Sequence, residues 1–514
     1  MLLFLPGLLY LLAATVCTLG LVALAELLIP GYSPKALRVA LSRGLNTILV
    51  YKFPIQTPDR LAPIPSCPYQ WPNGQGDDGK FLSGIENSAR WQAKHGSVYR
   101  IWSGMKSEIV LTEPRQLSAV FKDSDKHTKA PANNSGAYMD RLLGQCVGLI
   151  SGQDWRRVRG VMEGPFGFHA ASSPATSASI ERLVERHFDE LSQTERIGNG
   201  ILHPAEDLKM LPFWVVYEAL YGRLPDNLVG ELKSMAPLRE GLFRHVVRGG
   251  LARFRWASWL PTVANAEMEE FQRRWRAFNE SAYTFAKGQD RKVPVVDMYE
   301  RMQKGHVTDK QLFQTLDESL YANLDVTTGA LSWNLVFLAA NPDVQARLLA
   351  ELRSANTSPQ SREAYLNSDT TYLHACVLES SRLKPLAAFS VPQAAPSPRI
   401  VEGYAVPAGT SFIVDSYAIN IRSETWAPDN TAYRPERFLG KGSSELRYKF
   451  WRFGFGPRQC MGKYLADATI RRTLAHVVLD YELGWVDKED WSRARDTWIT
   501  HPDFCIRCIK RADL

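Results

Sequence analysis

The stretch from Thr308 to Ala340 has the pattern of one unusually long helix, and this feature most limits how the chain can fold. Apolar residues recur at helical spacing, the placement of Thr308 and Gln311 predicts a capping box, and Pro342 follows the last turn. A helix of about 33 residues would be roughly 50 Å long. Because such a helix in a soluble protein normally runs through the middle of a domain, the sequence predicts a helix-rich domain built around it.

Short strands are predicted on both sides of this helical region. Ser97 to Trp102 and Glu108 to Thr112 have strand patterns and are joined by a turn at Gly104. After Arg382 the pattern returns to short strands and turns, and a last helix is predicted from Met461 to Asp480. The predicted fold class is therefore mainly α with small β-sheets, an α+β arrangement.

Composition describes an ordinary folded protein, with 45% hydrophobic and 22% charged residues among 514. The formal net charge of +7 suits anionic lipid or an acidic protein partner, because no lysine-rich run or nucleic-acid motif accompanies it. We expect no nucleic-acid partner. The seven cysteines are scattered and odd in number, which predicts a reducing compartment rather than a secreted disulfide framework.

The amino-terminal segment has the composition of a membrane anchor. Leu2 to Ala25 contains no charged residue and is long enough for a hydrocarbon core of roughly 30 Å. Lys35, Arg38 and Arg43 follow this apolar run, which under the positive-inside rule leaves the rest of the chain in the cytosol. The sequence predicts a single transmembrane helix in residues 1–29, in a single-pass protein of the endoplasmic reticulum membrane.

Residues 30–75 are predicted to form a basic, proline-rich linker. Prolines are frequent between Pro54 and Pro72, and Asn73 and Gly74 follow, a composition typical of a stiff, non-helical connector. We therefore expect a hinge between the anchor and a folded domain of residues 76–514.

The segment FGFGPRQCMG, residues 453–462, has the composition of a loop that presents a cysteine thiolate. Its glycines and proline allow a tight turn in which backbone N–H groups approach the sulfur. Arg458 offers a fixed cation to a carboxylate, the dipole of the following helix favours an anionic Cys460, and Gly462 leaves room for a flat ring. Since a lone cysteine in such a loop is more often structural, these residues by themselves leave metal ligation open.

This segment fills every position of the pattern F-x-x-G-x-R-x-C-x-G, and the chain thereby resembles the cytochrome P450 family. Glu379 and Arg382 resemble the family's E-x-x-R motif, and residues 435–438 resemble its PERF element, in the family's order. The resemblance covers most of the chain from about residue 90 onward. It implies the cytochrome P450 fold, preceded here by the predicted transmembrane helix, and haem b whose iron is held by Cys460.

Two further sets of residues receive roles from the resemblance. Glu379, Arg382 and Arg437 are implied to form a buried charge network that supports the haem loop, whereas the motif alone would fit a surface ion pair. Trp155 and Arg159 resemble the W-x-x-x-R of the family's third helix, which reaches the haem propionates. The implied cofactor-binding residues are Trp155, Arg159, Phe453, Arg458, Cys460 and Gly462. The basic propionate partner that often follows the E-x-x-R helix is absent from Phe389 to Gln393.

The family's oxygen-activation motif, A-G-x-D/E-T-T, is altered in this chain. Residues 322–328 are ANLDVTT, in which Asp325 keeps the acidic position, Asn323 replaces the glycine and Val326 replaces the first threonine. We predict that Asp325 and Thr327 are the catalytic pair and hold a water that delivers protons. The alternative raised by Val326 is a haem-thiolate isomerase or peroxide-using enzyme, which needs no proton relay for molecular oxygen.

The resemblance implies a monooxygenase that acts on a small hydrophobic substrate by hydroxylation, oxidative cyclisation or coupling. The chain ends about fifty residues past Cys460 without a strand-linked G-x-G-x-x-G, so we expect electrons from a separate NADPH-dependent P450 reductase, with cytochrome b5 as a second donor. The runs at 322–327 and 447–454 resemble fungal secondary-metabolism members, including enzymes of cyclodipeptide-derived compounds. A membrane-tethered haem sensor is the alternative from another class.

Overall fold

Helices make up most of the structure, a computed structural model that describes residues 4–29, 31–76, 78–321 and 324–513. The helices are α1 Phe4–Leu28, α2 Lys35–Lys52, α3 Gly84–His95, α4 Pro114–Phe121, α5 Ala137–Leu143, α6 Gly152–Met162, α7 Phe168–Ala171, α8 Pro174–Ser192, α9 Glu195–Gly198, α10 Pro204–Leu208, α11 Leu211–Tyr221, α12 Asp226–Arg248, α13 Val263–Gly288, α14 Pro294–Gln303, α15 Asp309–Tyr321, α16 Val326–Ala340, α17 Pro342–Ala355, α18 Pro359–Asn367, α19 Tyr372–Leu383, α20 Ser443–Leu446 and α21 Lys463–Asp480.

The strands are short and form small sheets at the edges of the helical body. They are β1 Val98–Ser103, β2 Lys106–Leu111, β3 Thr128–Lys129, β4 Ile201–Leu202, β5 Gln393–Ala394, β6 Arg399–Val401, β7 Tyr404–Val406, β8 Ser411–Val414, β9 Tyr481–Trp485 and β10 Ile506–Lys510. The described strands pair in the orders β1-β2-β8-β5-β3, β4-β10-β9 and β6-β7. β1 and β2 form the predicted hairpin, with Val98 opposite Leu111 and a left-handed Gly104 in the turn. The predicted fold class is confirmed.

The centre of the body is α16, which is apolar on nearly every side and buried over most of its length. It packs against α10, α19, α21 and strand β9. α21 follows the cysteine loop, as predicted, and α16 begins at Val326, within the altered oxygen motif. The two elements that carry the candidate site are therefore neighbours in the core.

The prediction of one continuous helix from Thr308 to Ala340 is wrong. The capping box at its start is present, because Thr308 and Gln311 exchange two hydrogen bonds of 3.1 Å. However, α15 ends at Tyr321 and α16 begins only at Val326. Asp325, the residue just before α16, has a helical ψ of −45° but a φ of −107°, about 40° from the usual helical value, and is a turn residue outside both helices.

The expected hinge is also wrong, because the proline-rich segment is packed against the body. Of the predicted linker of residues 30–75, Lys35–Lys52 form helix α2, whereas the part from Pro54 to Pro72 has no α-helix, as predicted. That part is bonded to β1: the N–H of Cys67 donates to the carbonyl of Arg100 across 2.8 Å, and the N–H of Arg100 donates to the carbonyl of Pro65 across 2.8 Å. Ile64, Cys67 and Tyr69 are buried. These bonds extend the β1 edge, so the segment is part of the folded body.

The predicted transmembrane span from Leu2 to Ala25 falls mostly within α1, although Leu2 and Leu3 lie outside the described residues. Among the described residues, no helix meets the length and hydropathy needed to cross a membrane. The structure therefore does not support that part of the predicted fold.

Candidate active site

The loop that carries Cys460 is closed by its own backbone. The N–H of Cys460 donates to the carbonyl of Phe453 across 2.9 Å, and Gly454 and Gly456 adopt left-handed φ values of 81° and 66° that a glycine accepts without strain. The N–H of Gly462, at the start of α21, hydrogen-bonds to the sulfur and favours its anionic form. The protein packed around the thiol raises its pKa, although the side chain is exposed on one face. The arrangement presents one sulfur with a backbone donor beside it.

Next to this loop, α6 brings Trp155 and Arg159 close to Arg458 of the loop itself. The guanidinium of Arg458 lies over the ring of Trp155, 4.6 Å from its centroid, and donates to the carbonyl of Ile150 across 2.7 Å. Arg159 donates to the carbonyl of Gln459 across 3.3 Å. Burial and the nearby Arg159 lower the pKa of Arg458 to about 10. The structure thus brings together Trp155, Arg159 and Arg458, as the resemblance implied.

A third cation, Lys129, lies in the same cluster and was missed by sequence reasoning. It is on β3 directly opposite Gln393 of β5, the stretch in which the sequence lacks the expected basic residue. Burial and the charge of Arg458 lower the pKa of Lys129 to about 7. No motif marks this lysine, and only the pairing of two distant strands places it here.

Glu318 is a buried carboxylate close to these cations. It accepts a hydrogen bond of 3.1 Å from the N–H of Gly148, and burial raises its pKa. Arg159 already has Glu163 as an ion partner at 3.0 Å. Glu318 alone does not balance Arg458 and Lys129, and closely packed cations of this kind are stabilised by an anionic ligand. The cluster therefore fits the carboxylates of a bound cofactor.

The altered oxygen motif lies at the break before α16. Asp325 is partly exposed by area but surrounded closely enough that burial raises the pKa of its carboxyl. Thr327 is buried, whereas Thr328 donates to the carbonyl of Lys209 across 3.2 Å and faces the end of α10. Asn323, which replaces the glycine of the family's motif, lies outside the described residues. Of the two predicted catalytic residues, Asp325 lies at the break itself and Thr327 lies in the first turn of α16.

The three residues of the predicted charge network are in contact. Arg382 and Glu379 are fully buried and make a two-point ion pair at 2.7 Å, and Arg437 approaches Glu379 at 3.3 Å. Arg382 also donates to the carbonyls of Asn420 and Asn430 at 3.1 and 2.6 Å. These bonds tie α19 to the segment that leads into the cysteine loop, so the network supports that loop without belonging to the chemistry.

A cysteine loop next to a cluster of cations and an aromatic ring is an arrangement that can hold an anionic cofactor through one thiolate. The comparisons agree with such a site: residues 83–502 match the model of the family described as cytochrome P450. The chain belongs to the cytochrome P450 family. It is 52% identical to the cytochrome P450 monooxygenase aclC of Aspergillus oryzae, over 90% of this chain and 94% of the relative. It is 48% identical to the cytochrome P450 monooxygenase asaD of Aspergillus flavus, over 98% of both chains.

A solved structure shares the fold at much lower identity. A zebrafish cytochrome P450, whose title names progesterone, superposes with a TM-score of 0.67 at 18% identity over 82% of this chain and 98% of that chain. The predicted family is confirmed, and both relatives named above are fungal, in agreement with the predicted subfamily. The chain is a haem-thiolate monooxygenase, and its cofactor is haem iron.

Proposed function

We propose that this chain oxidises a small hydrophobic secondary metabolite with molecular oxygen, using haem b and electrons from an NADPH-dependent P450 reductase. The observation that carries the proposal is the exposed thiol of Cys460 beside a buried cluster of cations, in a cytochrome P450 fold. When bound, the haem supplies oxygen activation and hydrogen abstraction.

The chain's own residues hold and tune this cofactor. The Cys460 thiolate would hold the haem iron, and the Gly462 N–H would stabilise the negative charge of the sulfur. Arg458, Arg159 and Trp155 would bind the propionates, and Lys129 would take the place of the missing basic residue after α19. A propionate beside Lys129 returns the lysine's pKa towards its usual range, because an adjacent anion favours the charged form.

Proton delivery is assigned to Asp325 and Thr327. Burial raises the pKa of the Asp325 carboxyl, so this group holds a proton at a higher pH than an exposed aspartate would. Val326 offers no hydroxyl at the position where the family's motif has its first threonine. A water held between Asp325 and Thr327 is the proposed proton donor.

The reductase is proposed to dock near α6. Arg156 and Arg157 are exposed there, and Cys460 lines a pocket of about 480 Å³ together with Trp155, Arg159 and Lys463. A basic surface close to the thiolate suits an acidic electron donor, either the reductase or cytochrome b5.

We also propose attachment to the endoplasmic reticulum membrane, with the catalytic part in the cytosol. The supporting features are exposed apolar side chains of α1 and the exposed Trp256 and Trp259, which lie next to the point where α1 packs. The described cysteines are all free, which agrees with a reducing compartment. Extraction of the full chain and of a form lacking residues 1–29 from microsomes with carbonate tests this attachment.

The proposed substrate is a cyclodipeptide or alkaloid intermediate, and the proposed outcomes are hydroxylation, oxidative cyclisation or coupling. The proposal rests on the resemblance of residues 322–327 and 447–454 to fungal secondary-metabolism enzymes, and the fungal origin of the relatives agrees with that placement. Comparing the metabolites of fungal strains with and without this gene tests the substrate. An intermediate that accumulates without the gene and is oxidised by the purified enzyme supports the proposal.

Val326 favours one competing function, a haem-thiolate isomerase or peroxide-using enzyme. The two are separated by turnover of the accumulated intermediate with reductase, NADPH and oxygen, compared with peroxide alone and with no addition. We expect product only with the complete electron-transfer system. Equal product with peroxide alone, or without any oxidant, contradicts the proposed monooxygenase.

A further inference from the structure

The carboxyl-terminal segment of residues 498–501 is fixed against the first turns of α16. The N–H of Thr500 donates to the carbonyl of Leu386 across 2.9 Å, and the Thr500 carbonyl accepts from the indole N–H of Trp333 across 2.8 Å. One residue is thus tied both to the segment after α19 and to α16. The neighbouring His501 is held in place by these two bonds.

Gly329 permits this close packing. A Cβ at that position would lie 2.9 Å from both Cδ2 of His501 and Cγ2 of Ile499, and 3.0 Å from the Thr500 carbonyl. Any larger residue would push the segment away from the helix. The contact is therefore specific to a glycine in the first turn of α16.

His501 bonds to the residue at the helix break. Its Nε2–H donates to the backbone carbonyl of Asp325 across 2.9 Å, and the same carbonyl accepts the N–H of Gly329 across 2.8 Å. His501 is only 7% exposed, and burial lowers its pKa. The ring is therefore neutral at pH 7, with its proton on Nε2.

The carboxyl of Asp325 is held from the same segment. The indole N–H of Trp498 donates to it, and the Trp498 ring packs 5.1 Å from Phe243 of α12. Beyond Asp325 lie Lys209 and Glu240, a partly exposed ion pair at 2.6 Å. The Asp325 carboxyl therefore lies between the start of α16 and the partly exposed pair of Lys209 and Glu240.

We infer that His501 is a positioning residue for proton delivery, which acts by fixing the backbone of Asp325 while Trp498 aims its carboxyl. This inference rests on the proposed function. The family's motif has a threonine hydroxyl at the position after the acid. This chain has Val326 there, so the hydroxyl is missing. The position of the Asp325 carboxyl therefore depends on the hydrogen bond from His501, near the carboxyl terminus.

The test compares His501→Leu with His501→Gln in the purified holoenzyme with reductase, NADPH and substrate. Glutamine keeps an N–H donor at nearly the same reach, whereas leucine keeps bulk without a donor. We expect His501→Leu to lower product formed per NADPH by about tenfold and to release the difference as peroxide. The substrate dissociation constant should stay within about twofold, and His501→Gln should restore most of the coupling.

A double variant shows whether His501 acts through Asp325. In an Asp325→Asn background, adding His501→Leu should cause no further loss, because the group being positioned is already gone. If the loss of coupling in the double variant equals the product of the losses in the two single variants, the two residues act independently. That result would overturn the inference.

His476→Leu is the matched control, since His476 is also largely buried but lies on α21 with Asp480 as its partner at 3.3 Å. It should leave coupling unchanged. Full coupling in His501→Leu, or equal losses in both histidine variants, rejects the positioning role. A wild type that shows a thiolate spectrum but no NADPH-driven product would instead reject the proposed monooxygenase.

Discussion

The guanidinium of Arg458 lies 4.6 Å above the ring of Trp155, and Lys129 approaches the same site from strand β3. Three separate chain segments thus contribute to one cluster of positive charge near the cysteine loop. The ring shields one face of the guanidinium from water, so the charge is available on its open side. This relationship determines how the cofactor should be retained.

Haem retention should weaken as pH rises, and Lys129 should cause the effect. Without an adjacent anion the pKa of Lys129 is about 7, and a bound propionate raises it. Release of haem above pH 7 is therefore accompanied by loss of a proton, so the free energy of retention falls as pH rises from about 7 towards the raised pKa. The rate of haem transfer to excess apomyoglobin between pH 7 and 9 should rise by at most about tenfold per pH unit.

Lys129→Met should lose haem faster at pH 7 and lack this pH dependence. Lys126→Met is the control, because Lys126 is an exposed lysine three residues earlier. If the Lys129 and Lys126 variants both behave like the wild type, Lys129 is not a propionate partner.

The charge network of Glu379 should be required for stable holoprotein. Glu379→Ala leaves Arg382 buried without its partner, and breaking a buried pair in this way costs about 3 to 5 kcal/mol of unfolding free energy. Haem content and thermal midpoint measure the loss. Glu270→Ala is the matched control, since Glu270 and Arg273 form an exposed ion pair at the same i,i+3 spacing. Equal behaviour of the two variants would mean that the buried network has no special role.

Asp325→Asn should slow product formation much more than it weakens substrate binding, because it removes the proposed acid while keeping its shape. Val326→Thr is close to isosteric and should lower peroxide release per NADPH if proton delivery limits coupling. NADPH, peroxide and product are measured together for both variants and the wild type. Full rate and coupling in Asp325→Asn would contradict the acid-and-water relay and favour the peroxide-using alternative.

Local patterns predicted the elements whose causes are local. The hairpin around Gly104, the capping box of Thr308 and Gln311, and α21 all depend on residues close together in sequence. The break at Asp325 could not be predicted in this way, because helical periodicity continues through it and the contact from His501 comes from 176 residues away. The packed proline segment was missed for the same reason, since its partner strand β1 lies outside the segment.

The residues of the candidate site also differ in whether local sequence could identify them. Cys460, Arg458 and the pair Glu379 and Arg382 were found because each lies in a compact motif. Lys129 and His501 have no motif, and their roles follow only from strand pairing and from the close approach allowed by Gly329.

The central claim is that the Cys460 thiolate is the iron ligand, and the absorption of the reduced carbon-monoxide complex tests it most directly. The wild type should show the strongly red-shifted Soret band of a thiolate ligand. Cys460→Ser and Cys460→His should lose it, because neither side chain replaces the sulfur's electron donation. Cys508→Ser, at a buried cysteine on β10, is the control and should keep the band. An unchanged red-shifted band in either Cys460 variant would contradict the account.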